Sequence, residues 1–164
     1  MVKKILLVLL MIFIIIQFFR PAKNLSDAVS QNDITLHFNL PENVQTILKK
    51  SCYDCHSNNT VYPWYNNVQP VALWLSNHVN DGKRELNFSE FASYAAKKQY
   101  RKLKTIIETI KKSEMPLNTY LWIHKDAILT NDQQTILSNW ADSLSKEIKM
   151  KNNLPDEPEE KRDQ

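Results

Sequence analysis

Two cysteines stand three positions apart in Cys52-Tyr53-Asp54-Cys55-His56, and a histidine follows the second at once. The chain has no others, so all its thiol chemistry lies in this stretch. Three chemistries use a thiol pair at this spacing. A structural zinc ion takes four ligands, and two thiolates supply half of them. His37, His78 and His124 are scattered and give no H-x₃₋₅-H pair to complete such a site. A dithiol–disulfide catalyst sets its C-x-x-C among alternating strands and helices, an alternation that is not legible here. The third chemistry is covalent haem, since C-x-x-C-H is the attachment signature of c-type haem. The two thiols add to the two vinyl groups on one porphyrin edge. A helical turn then sets the next imidazole beneath the iron. This reading fits best and makes Cys52, Cys55 and His56 the candidate attachment and proximal-ligand residues.

An iron held in this way has a second axial position. Met115 is the leading candidate for it. Met115 lies in a loop just before Pro116, whereas Met150 is near the end of the chain and Met1 and Met11 lie in its apolar start. His78 and His124 are alternative ligands, an open position is a third possibility, and gap-filling in the core is the competing role for Met115. The second ring nitrogen of His56 needs an acceptor, expected from a backbone carbonyl in the Pro63–Pro70 loop. Tyr62, Trp64, Tyr65 and Trp74 either line the pocket, with N–H and O–H groups offered to haem propionates, or pack the core.

The elements that must position these residues are helical. Gly82 is the one glycine among 164 residues. Tight hairpins call for glycine, so a strand-rich fold is not expected; phosphate-binding loops need several, so a nucleotide loop is excluded. Val44, Ile47 and Leu48 recur at helical spacing after Pro41. A second helix is expected from Pro70 to Gly82, with Val71, Trp74, Leu75 and His78 on one face. A third is expected from a Ser89 cap to Lys112, with Leu103, Ile106, Ile107 and Ile110 inward. Lys97, Lys98, Arg101, Lys102 and Lys104 form its other face, either solvated or a dock for an acidic redox protein. The segment 113–129 reads as a loop. Thr130 and Gln133 make a capping box for a last helix bearing Ile136, Leu137, Trp140 and Leu144.

The first residues carry a different signal. Ile5–Ile16 is an unbroken apolar run behind Lys3 and Lys4, of a length that suits the apolar region of an export signal. As a helix to Phe19 it would measure roughly 22 Å, short for a membrane span. An uncleaved anchor is favoured over cleavage near Ser26-Asp27-Ala28. Of 21 basic residues, Lys3, Lys4 and Arg20 flank this run, which leaves 18 against 18 acidic ones. A general nucleic-acid surface is therefore not expected. The organisation reads as a signal anchor or signal peptide (1–22), a tether (23–40), a haem-binding domain (41–150) and a polar, disordered tail (151–164).

The stretches CYDCHSNNTVYPWY, PVALWLSNHVNDGK, LNFSEF and EMPLNTYLWIH together resemble the bacterial haem-binding domain proteins, over roughly residues 40–145. The resemblance implies one haem c, with its iron, per chain in an all-α, cytochrome-c-like domain. Small cytochromes c show the same order of helix, C-x-x-C-H, intervening helices, Met-Pro loop and final helix. The expected function is single-electron transfer rather than catalysis, with an unidentified redox protein as partner. The expected place is the periplasmic side of the inner membrane, held by the N-terminal helix, or the periplasm if the signal is cleaved. A peroxidase-type enzyme and a haem sensor are the other classes, and both need an open distal site.

Overall fold

The computed structural model describes residues 1–155, and all regular structure among them is helical. Helix α1, Val2–Ile16, buries none of its residues. At 15 residues it is about 22 Å long. No helix among the described residues is long and apolar enough to cross a membrane, so the N-terminal span expected from the sequence is not supported. The physical reason lies just past the apolar run. Gln17 accepts the Gln69 N–H at 2.9 Å, and Arg20 donates to the Asn67 carbonyl. The chain is thus drawn onto the domain instead of continuing as helix.

The stretch expected to be a tether is also fastened. Asp33 caps α2, Ile34–His37, by accepting the Thr35 N–H at 2.9 Å. Ile34 is fully buried and Leu40 nearly so. Helix α3, Glu42–Ser51, starts directly after Pro41 and buries Val44, Ile47 and Leu48, the residues its periodicity picks out. One-turn helix α4, Tyr53–His56, follows after Cys52.

Helix α5, Val71–Glu85, runs one turn past Gly82 and buries Ala72 and Val79. The face expected to be inward there is only partly covered; Trp74 is exposed. Ser89 does not cap the third helix. Instead, the Asn87 side chain caps a 3₁₀ segment, Phe88–Ser93, and Phe88 and Phe91 are among the most deeply buried side chains. Helix α6 begins only at Ala96 and ends at Lys111. The following segment holds two short helical pieces, α7 at Asn118–Leu121 and a 3₁₀ turn at Lys125–Ala127. Helix α8, Asn131–Lys151, opens with the expected capping box: Gln133 N–H to Thr130 Oγ1 at 3.2 Å and Thr130 N–H to Gln133 Oε1 at 2.9 Å. The expected tail falls largely outside the described residues.

Leu103, Ile106 and Ile110 of α6 share the core with Leu137, Trp140 and Leu144 of α8 and with the buried face of α3. Burying each large aliphatic side chain contributes roughly 1.5–3 kcal/mol. This packing holds the α3–α4 corner, and the two thiols with it, in place.

Candidate functional site

The first thiol sits at the corner itself. The Cys52 N–H bonds to Leu48 O at 2.9 Å and continues α3, while its carbonyl receives the His56 N–H at 3.0 Å and starts α4. Cys52, Cys55 and His56 therefore lie on consecutive turns of one bent helix. Both cysteines are free thiols. Burial pushes the Cys52 thiol up to about 12, helped by Cys55, and the Cys55 thiol up to about 11, helped by Asp54. Both are protonated at neutral pH.

His56 Nδ1 lies 2.9 Å from the Leu86 carbonyl oxygen. A carbonyl only accepts, so Nδ1 carries the proton and Nε2 keeps a free lone pair. Burial lowers the His56 pKa, against the raising effect of the Leu86 and Gly82 carbonyls. The ring is thus held neutral, in the form that ligates a metal. The acceptor is not in the Pro63–Pro70 loop as expected. It is the residue that ends α5, brought over by the packing of α5 on α4. No sequence signal marks a backbone carbonyl for this role.

Two cavities meet at this turn. One, of about 280 Å³, is bounded by Cys52, Cys55, His56, His78, Met115 and Tyr120, among others. The second, also of about 280 Å³, shares Cys52, His56, Met115 and Pro116 and extends to Phe88, Ile106 and Leu137. His56 and Met115 border both. Two thiols, an imidazole with a free nitrogen, a thioether and largely apolar walls are a donor set that fits haem, a flat apolar macrocycle with iron at its centre.

The alternative ligands are placed differently from each other. His78 borders the first cavity with His56. Its Nδ1 donates to Trp74 O at 2.9 Å, and its ring lies 4.2 Å from the Trp74 ring. His124 borders neither cavity that holds His56. It stacks on Tyr120 at 4.0 Å beside a third cavity of about 410 Å³. Tyr62, Trp64, Tyr65 and Trp74 also line that third cavity and not the two shared by His56 and Met115. Tyr62 instead uses its hydroxyl oxygen to accept the Asn24 N–H at 2.7 Å.

Asp54 and Tyr120 are functional candidates that the sequence reading missed. Tyr120 OH donates to Asp54 Oδ2 at 2.8 Å, across 66 positions of sequence. The other carboxylate oxygen accepts the Val61 N–H at 3.0 Å, and Thr60 Oγ1 donates to the Asp54 carbonyl at 2.6 Å. Burial and then this carboxylate push the Tyr120 hydroxyl well above the usual phenol range. Asp54 inside the C-x-x-C spacing was a visible signal; its partner was not.

The basic face of α6 is partly occupied by its own fold. Lys98 lies 4.0 Å over the Tyr94 ring, Lys102 pairs with Glu85 at 3.2 Å, and Lys104 pairs with Asp142 at 2.8 Å. Lys102 also borders the second cavity.

Among the described residues, no three of His, Cys, Asp and Glu gather into a group that could hold a metal ion. The thiol pair thus lacks the further protein ligands a tetrahedral zinc would need. No curated protein and no solved structure matches the chain. A family model described as haem-binding domain matches residues 11–143, most of the chain's length. The chain belongs to that haem-binding domain family.

Proposed function

We propose that this member of the haem-binding domain family is a monohaem c-type cytochrome that carries single electrons. Cys52 and Cys55 would hold the haem by thioether bonds, His56 would bind its iron through Nε2, and Met115 would supply the iron's other protein ligand. When bound, the haem supplies one-electron redox chemistry at its iron. The chain's own residues supply the rest. Leu86 O fixes the His56 tautomer and ring direction. The apolar walls, Phe88, Ile106 and Leu137 among them, exclude water. A thioether paired with an imidazole would raise the potential relative to two histidines.

The observation that carries the reading is that His56 and Met115 border the same two cavities, with Cys52 bordering both and Cys55 the first. The order of elements supports a cytochrome-c-like arrangement: α3, the attachment turn, α5 and α6, the Met115 segment, then α8 against α3. His78, which borders the first cavity, is the second-ranked ligand. Absorption spectra of both oxidation states, with and without carbon monoxide, test the reading. A six-coordinate iron with a far-red sulfur-to-iron band and no rapid carbon monoxide binding is expected. Rapid binding by the wild type would move the function to an enzyme or sensor.

The place proposed is the periplasmic face of the inner membrane. Lys3 and Lys4 precede an apolar run that reads as an export signal. Helix α1 finds no apolar cover on the domain. A helix apolar on all sides needs such cover, which lipid provides.

A further inference from the structure

The geometry points to Tyr120 and Asp54 as a latch that holds the Met115 segment against the attachment turn, which makes Tyr120 a positioning residue for the distal ligand. The inference rests on the reading of Met115 as that ligand.

The segment between α6 and Ala127 has little packing of its own. Helix α7 buries no residue. Met115 is 37% exposed, Trp122 70% and Ile123 64%. The two ends are tied down. Glu114 N–H bonds to Thr109 O at 2.9 Å, and Ser51 Oγ donates to the buried Ala127 carbonyl at 3.0 Å. Between those ends, the Tyr120 hydroxyl reaches α4 and bonds the carboxylate of Asp54, the residue next to Cys55. Asp54 is itself fixed, because the Val61 N–H and the Thr60 hydroxyl hold its other oxygens. His124 stacks within 9° of parallel on the Tyr120 ring. A hydroxyl bonded to a carboxylate is one of the stronger hydrogen bonds. Tyr120, five residues after Met115, thus ties the distal segment to the turn that carries the proximal ligand.

Without the latch the segment lifts more often, and Met115 leaves the iron open to small ligands. The test uses the full, haem-loaded ferric chain and follows cyanide binding by stopped flow. Tyr120→Phe should bind cyanide about tenfold or more faster than wild type, the size expected for losing a bond to a charged group. Its sulfur-to-iron band should weaken. Asp54→Asn should act in the same direction, and the double variant should be no faster than the quicker single, because both remove one interaction. Tyr53→Phe is the control. The Tyr53 hydroxyl is buried in the same motif without a hydrogen-bond partner, so its loss should leave the cyanide rate unchanged. A merely structural role for Tyr120 would lower the unfolding midpoint and leave the rate alone. A wild-type rate in Tyr120→Phe, with the sulfur band present in the wild type, overturns the latch and spares the Met115 reading. A wild type lacking that band overturns both.

Discussion

The single glycine of the chain, Gly82, lies against Cys55: a Cβ at position 82 would fall 2.6 Å from the Cys55 carbonyl oxygen and 3.0 Å from its Cβ. That approach lets α5 rest directly on α4 and carries Leu86 O to His56. Gly82→Ala would gain roughly 1 kcal/mol of helix propensity. It would also force α5 away from α4, because the obstructing atom is backbone, at a cost of about 1–3 kcal/mol. The variant should unfold at lower denaturant and accumulate less haem-loaded protein. A more stable variant with normal loading would show that α5 does not need this contact.

Met115→Ala should open the iron, lower the reduction potential and admit carbon monoxide. His78→Ala and His124→Ala should keep the wild-type ferric spectrum. The two histidines carry unequal weight, since only His78 borders a cavity with His56. If His78→Ala abolishes the wild-type spectrum while Met115→Ala leaves it intact, His78 is the ligand.

The C-x-x-C-H spacing, the stripes of α3 and α8 and the Thr130 capping box were legible in the sequence. Each is a local pattern whose physics is complete within a few residues. The features that finish the site are not local. Leu86 serves through its carbonyl, and a backbone atom has no residue type to read. Tyr120 meets Asp54 across 66 positions, and no spacing rule reaches so far. Ile34 and Leu40 give the 23–40 stretch two buried anchors six positions apart and no period. Phe88 and Phe91 are three apart in a 3₁₀ segment too short to show one. The aromatic cluster around Trp64 and Trp74 was visible as composition, but composition does not say which side of Cys55 it occupies.

Acid should loosen the α6–α8 pair in a defined window. The hydrogen bond from Lys104, then that from Lys146, lowers the Asp142 carboxyl to about 2 from an ordinary 3.8. A group depressed in the folded state adds stability above its unfolded value, and that stability is lost as pH falls from about 4 toward 2. Asp142 is partly exposed, so the contribution should stay below about 1 kcal/mol. Asp142→Asn should therefore lower the midpoint of thermal unfolding by no more than about 4 °C at pH 6 and by much less at pH 2. An equal difference at both pH values would show a packing effect instead.

The chain should remain with membranes through a carbonate wash if α1 is embedded in lipid. Release of the full-length chain would contradict the membrane reading. Release with a new N-terminus near Val29 would show a cleaved signal and a free periplasmic domain.

Covalent attachment is the claim on which the account stands, and acid–organic extraction of the denatured, fully matured protein tests it most directly. The mass of the extracted polypeptide should exceed that of the chain by one haem, and the Cys52→Ala, Cys55→Ala double variant should carry none. Haem that passes freely into the organic phase from the wild type would contradict thioether attachment at Cys52 and Cys55.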